Sequence, residues 1–188
     1  MIAIILAGGK NSRMRGQERM EKALITISGV RLIDLVVHSV QASEVDDFLV
    51  AISNNAARTA DYCTRMKYKT IETPGKGYHD DVAYLLQRYP EFISVACDIP
   101  FLRGGHINTI IAAYDSHRIS ITGAVPRDIV PNGITPSYAF EHDGKQLVSC
   151  GINVVTSAKA SIPLVFHDPL LAINVNTPAD LSVARSMM

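Results

Sequence analysis

The stretch LAGGKNSRMRG, residues 6–16, places two glycines and then Lys10, Arg13 and Arg15 directly after an apolar run. Glycine has no Cβ, so the backbone N–H groups of Gly8 and Gly9 are able to approach an anion closely. Residues 1–22 carry five basic side chains (Lys10, Arg13, Arg15, Arg19, Lys22) against Glu18 and Glu21, a local excess of three positive charges. Such a loop suits a polyphosphate. Its spacing is not that of a P-loop, because Arg13 stands where the second glycine is required. Nor is it a dinucleotide fingerprint, because the next glycine is Gly16. A solvated basic loop is the plain alternative.

Oxygen ligands occur further along. Asp98 follows the apolar run ISVAC, 93–97, at the place where open α/β sheets bind ligands, outside the C-terminal ends of their strands. A carboxylate there suits Mg²⁺, which prefers oxygen and keeps several waters. The alternative role for Asp98 is an N-cap for the helix after Pro100. Asn174 and Asn176 would share one face of an extended segment. Either one is also suited to shaping the turn before the last helix.

These residues need a scaffold. With 188 residues and 47% apolar content the chain is long enough for one domain with a real core, and it is not a disordered chain. The 18 basic and 18 acidic residues balance, so no bulk nucleic-acid binding is expected. Cys63, Cys97 and Cys150 form no CxxC pair, and their odd number fits a reducing, cytoplasmic setting. No apolar run is long enough to span a membrane.

Apolar runs at 2–7, 48–52, 93–97 and 119–125 read as buried strands, with a shorter strand near 68–71 and another at 150–157. Helical periodicity separates them at 30–42, 56–66, 80–89 and 105–114. The alternation predicts an α/β fold with a mostly parallel sheet and right-handed crossovers. The segment 126–150, rich in proline at its start, reads as a loop over the sheet edge. NTPADL predicts a last helix from Pro178, capped by Thr177 with Asp180 at the third position.

The motif LAGGKNSRM…EKAL resembles the signature of the nucleotidyltransferase superfamily that contains molybdenum-cofactor guanylyltransferases and sugar-nucleotide pyrophosphorylases. TPGKGYHDD, CDIPFL, CGINVV and NVNTPADL extend the likeness over nearly the whole chain, toward the archaeal adenosylcobinamide-phosphate guanylyltransferase family. One departure is Arg15, which intervenes before Gly16 where superfamily members commonly have glycine directly after the RM pair.

The resemblance implies a Rossmann-like α/β/α sandwich of the nucleotidyltransferase type. It implies nucleotide contacts at Leu6, Ala7, Gly8, Gly9, Lys10, Ser12 and Arg13, with Arg13 clamping the β- and γ-phosphates. Lys22 is implied to reach the α-phosphate or the acceptor phosphate, with Lys10 or Arg19 as substitutes. Asp98 is implied to hold Mg²⁺, completed by Asn176 or, failing that, Asn174. Ser53, Asn54, Lys76 and Gly77 are expected near the nucleoside, with Lys76 or Tyr78 alternatively meeting the acceptor. Gly151 is expected beside the acceptor, with 126–150 as its rim.

The implied reaction transfers GMP from GTP to a phosphorylated corrinoid, adenosylcobinamide phosphate, releasing pyrophosphate. A homodimer is the implied assembly. The alternatives are another phosphorylated acceptor, such as molybdopterin or a phosphosugar, and a GTP-binding module without turnover.

Overall fold

The computed structural model describes residues 1–9, 20–158 and 160–188. Lys10, Ser12 and Arg13 therefore lie outside the described residues. The chain opens with β1 (Ala3–Leu6), then a short hairpin of β2 (Thr26–Ile27) and β3 (Val30–Arg31), and α1 (Leu32–Gln41). Next come β4 (Phe48–Ile52), α2 (Ala57–Met66), β5 (Thr70–Glu72), α3 (Tyr78–Leu86) and β6 (Glu91–Ala96). After α4 (Gly104–His117) follow β7 (Ser120–Pro126), β8 (Ala139–His142), β9 (Lys145–Thr156), β10 (Ser161–Val165) and α5 (Pro178–Ser186).

The main sheet runs β10-β7-β9-β6-β1-β4-β5, with β8 paired to β9. Pairs β1–β4, β1–β6, β4–β5 and β7–β10 are parallel, while β9 runs antiparallel to β6, β7 and β8. The fold is thus α/β with a mixed, mostly parallel sheet. From β1 the chain steps to β4 and β5 on one side, then returns to β6 on the other. That reversal opens a crevice at the C-terminal ends of β1 and β6, where open sheets hold ligands.

Alternation along β1 creates the layers. Ala3 and Ile5 join Ile33, Val36, Val37 and Val40 of α1, Cys63 of α2 and Ile107 and Ile110 of α4 in one core. Ile4 faces the other way and packs with Leu85 of α3, Ala51 and Phe92. Each valine, leucine, isoleucine and phenylalanine among them contributes about 1.5–3 kcal/mol on burial. A third cluster joins α5, through Leu181 and Ala184, to Ile25, Ile27 and Leu32.

The region 126–150 is more ordered than a loop. Residues 139–142 and 145–148 pair as a hairpin whose two-residue turn is Asp143-Gly144, both at positive φ (48° and 73°). This is the turn that matches the twist of antiparallel strands. β9 therefore starts five residues earlier than its apolar run suggests. Its register against β7 shifts between Thr122 and Ala124. Its pairing with β6 ends at Ile152, and the next residue toward the crevice, Gly151, has φ +81° and sits so close to β6 that a Cβ there would lie 3.1 Å from Ala96 Cβ.

α4 carries a pH-sensitive joint. His106 Nδ1 accepts the Arg103 N–H (3.2 Å), and its Nε2 lies 3.4 Å from Asp168 Oδ2. Burial lowers the His106 pKa below its usual 6.5, against the opposing pull of Asp168. The unfolded chain thus binds a proton near pH 6 that the folded chain refuses, and stability falls as pH drops below the ordinary histidine value. Melting temperature is expected to decline from pH 7.5 to 5.5, and His106→Gln is expected to flatten that decline. An unchanged slope in the variant would place the proton uptake elsewhere.

Candidate active site

At the crevice, three residues far apart in sequence meet. Lys22 Nζ donates to Asp98 Oδ2 at 2.7 Å and to Asn176 Oδ1 at 2.6 Å. Asp98 lies just beyond the end of β6, six residues before α4, whose N-cap is Arg103; it does not cap that helix. Its backbone carbonyl accepts the Val175 N–H at 2.9 Å, which fastens the 174–176 segment to the end of β6. Asn176 Nδ2 donates to Ser137 Oγ at 2.6 Å, so the segment before β8 also reaches the cluster.

Two carboxylates hold this arrangement from behind. Asp180 is fully buried and accepts N–H groups from Thr135 (2.9 Å), Asn176 (3.1 Å) and Thr177 (2.8 Å). Thr177 Oγ1 accepts the Asp180 N–H in return, the reciprocal cap expected from NTPADL. Glu21, next to Lys22, accepts the N–H groups of Arg58 (2.9 Å) and Thr59 (2.6 Å) at the start of α2. A carboxylate is favoured at a helix N-terminus, and this one anchors the single 3-10 turn Lys22–Leu24 that presents Lys22.

On the other side of β1 lies a cavity of about 300 Å³. Leu6, Gly8 and Gly9 form one wall and Ala51 the floor. Thr73, Gly75, Lys76 and Gly77 form the opposite wall, with Tyr78 and Asp81 from the first turn of α3. The volume is at the lower end for small-molecule sites.

The wall is braced by backbone contacts. Ser53 Oγ donates to Gly8 O (2.7 Å), Asn55 Nδ2 to Gly75 O (2.9 Å), and Asp81 Oδ1 accepts the Gly75 N–H (2.8 Å). Gly75 has φ +67°, and a Cβ there would lie 2.6 Å from Asn55 Nδ2 and 2.7 Å from Ser53 Cβ. Gly75→Ala is expected to cost about 1–3 kcal/mol from backbone strain alone. It should also weaken nucleotide binding at least tenfold, read by calorimetric titration. Unaltered affinity would show that this wall does not touch the nucleotide.

The sequence-derived candidates thus divide into two groups. Leu6, Gly8, Gly9, Lys76 and Gly77 line the cavity, whereas Ala7 is in the core with its N–H on Ala51 O. Ser53 is buried and its hydroxyl is spent on Gly8, and Asn54 is exposed; neither lines the cavity. Lys22, Asp98, Asn176 and Asn174 gather at the crevice, with Gly151 against Ala96, Ile99 and the Asn174 amide. Burial pushes the thiols of Cys97 and Cys150 up to about 12, so neither supplies a thiolate nucleophile near neutral pH. Ser137, Asp180, Glu21, Asn55, Thr73 and Asp81 were not legible as site residues: Ser137, Glu21, Asn55 and Thr73 act through partners 39, 38, 20 and 21 residues away, Asp180 read only as a helix cap, and Asp81 meets Gly75 locally with no sequence signal that a cavity forms there.

Asp98 Oδ1 and Asn174 Oδ1 are buried and accept no hydrogen bond among the described residues. Such oxygens carry a desolvation cost unless a ligand meets them. Among the described residues no group of three or more His, Cys, Asp or Glu gathers that could hold a metal ion. One carboxylate with amide oxygens suits Mg²⁺, which takes one or two carboxylates and fills its remaining positions with water and substrate phosphates.

A likeness to known proteins accords with this geometry. The chain is 33% identical to adenosylcobinamide-phosphate guanylyltransferase of Methanocaldococcus jannaschii, covering 100% of this chain and 97% of that one. It is 27% identical to molybdenum cofactor guanylyltransferase of Burkholderia vietnamiensis over 66% of this chain and 62% of that one. The fold is shared with a CMP:2-keto-3-deoxy-manno-octonic acid synthetase complexed with CTP (TM-score 0.69, 16% identity, 100% and 97% covered). The MobA-like NTP transferase domain matches residues 3–172. The chain belongs to that family and is a nucleotidyltransferase.

Proposed function

We propose that the chain transfers GMP from GTP to adenosylcobinamide phosphate, giving adenosylcobinamide-GDP and pyrophosphate. The observation that carries this acceptor is the similarity along the full length to the Methanocaldococcus protein, including the segments around β8 and β9 that flank the crevice. The partial similarity to a molybdenum cofactor guanylyltransferase supports a second reading, in which the chemistry is kept and the phosphorylated acceptor differs.

In either case the acceptor is a phosphate monoester. One of its oxygens attacks the α-phosphorus of the nucleotide, the bond to the β-phosphate oxygen breaks, and pyrophosphate departs with that electron pair. The attacking oxygen is already anionic near neutral pH, so no protein base is required. The protein's work is alignment and relief of repulsion between anions. Lys22, turned from its carboxylate partner toward the phosphates, supplies positive charge. Asp98, Asn174 and Asn176 are the residues to hold Mg²⁺, which polarises a phosphoryl group when bound.

The test is pyrophosphate release with Mg²⁺ and each of GTP, ATP, CTP and UTP, with and without adenosylcobinamide phosphate. Release with GTP only when that acceptor is present is the expected result. Release with molybdopterin or a sugar phosphate instead would keep the transfer and replace the acceptor.

A further inference from the structure

We propose that Asp81 reads the nucleotide base and selects guanine. This rests on the reading of GTP as the donor. The cavity lies on the β4–β5 side of β1, and the Lys22–Asp98–Asn176 cluster lies on the β6–β9 side. A nucleotide laid across the end of β1 puts its base in the cavity and its α-phosphate beside Asp98.

Asp81 is the one carboxylate among the described residues that line the cavity. Two contacts lock it in place: Oδ1 accepts the Gly75 N–H at 2.8 Å, and its own N–H bonds Gly77 O at 3.0 Å. Oδ2 accepts no hydrogen bond from a described residue. The Thr73 hydroxyl, another polar group of the wall, is spent on Ile52 O. The cavity therefore offers a fixed acceptor that cannot donate when ionised.

The four bases differ at this point. Guanine presents two adjacent donors, N1–H and the 2-amino group, which a carboxylate accepts together. Adenine and cytosine pair one amino group with a bare ring nitrogen. Uracil sets one N–H between two carbonyl oxygens. Against a carboxylate each of these three meets lone pair with lone pair. Sites that hydrogen-bond a substrate N–H discriminate strongly against analogues that lack it.

Asp81 also braces Gly75, and a purely structural role must be told apart. Asp81→Asn keeps an oxygen for the Gly75 N–H but replaces an acceptor by an N–H donor. Xanthine carries N1–H beside a 2-carbonyl and complements that amide. Binding of GTP, ITP, XTP and ATP with Mg²⁺ is to be measured by calorimetric titration, which needs no acceptor. The wild type is expected to bind GTP at least tenfold tighter than ITP, which lacks the 2-amino group, and about a hundredfold tighter than XTP. In Asp81→Asn the order of GTP and XTP is expected to reverse.

A variant that weakens all four nucleotides equally, or still prefers GTP to XTP, overturns the role of Asp81 and leaves the GTP reading standing. A wild type that binds ATP as well as GTP overturns both. If the variant does not fold, the wild type decides alone: equal affinity for GTP and ITP removes the carboxylate as the reader.

Discussion

Asp98→Asn is expected to slow turnover by about a thousandfold, about 4 kcal/mol of transition-state stabilisation, while the melting temperature stays level or rises. The two halves of this result have one cause. Asp98 is buried, one of its oxygens is held by Lys22 at 2.7 Å, and the other accepts nothing among the described residues. A carboxylate left in that state is a burden to folding, and active sites commonly retain such burdens for function. The amide keeps the shape and still accepts from Lys22, but it removes the negative charge that the proposed binding of Mg²⁺ and phosphates would need. Single-turnover kinetics and thermal melts on one preparation check both halves. A variant that retains a tenth or more of the activity would remove Asp98 from the chemistry.

Asp180→Ala is expected to lower stability by about 3 kcal/mol or more, read from urea titration. Three backbone N–H groups, from Thr135, Asn176 and Thr177, lose their acceptor at a site with no exposure to solvent. The Thr177 N–H bond is the returning half of the reciprocal cap, while Thr177 Oγ1 still accepts the N–H of residue 180. Activity should fall in the same variant, because Asp180 sets the backbone from which Asn176 reaches Lys22. Asp180→Asn should be milder, since one oxygen still accepts while the new amide faces a donor. A variant at Asp180 with wild-type stability would show that water reaches these N–H groups.

Much of the scaffold was legible because its signals are local. The apolar run at 48–52 is a strand, that at 119–125 holds β7 from Ser120, the periodic segment 30–42 forms α1 from Leu32, that at 105–114 lies inside α4, and NTPADL folds as the cap its residues suggest. The elements that escaped reading carry conflicting local signals. β10 contains Pro163, which ordinarily demotes a strand; it is tolerated here because β10 sits at the end of the sheet and, among the described residues, pairs with β7 alone. The β8–β9 hairpin was hidden by the prolines before it, although its Asp143-Gly144 turn is a strong local signal.

The sequence by itself determined the alternation of strands and helices, the two glycines directly after the first strand, and the placing of Asp98 at a strand end. These follow from steric and hydrophobic preferences that act within one element. Only the tertiary structure decided which polar groups meet. Lys22 stands 76 residues from Asp98 and 154 from Asn176 along the chain. Asp81, in the first turn of α3, gains its meaning only when β1, β4 and β5 close a cavity in front of it. No periodicity encodes such meetings. They arise because the order of strand addition reverses at β1 and brings the ends of β4, β5, β6 and the 174–176 segment to one edge, where buried polar groups must find partners or bind a ligand.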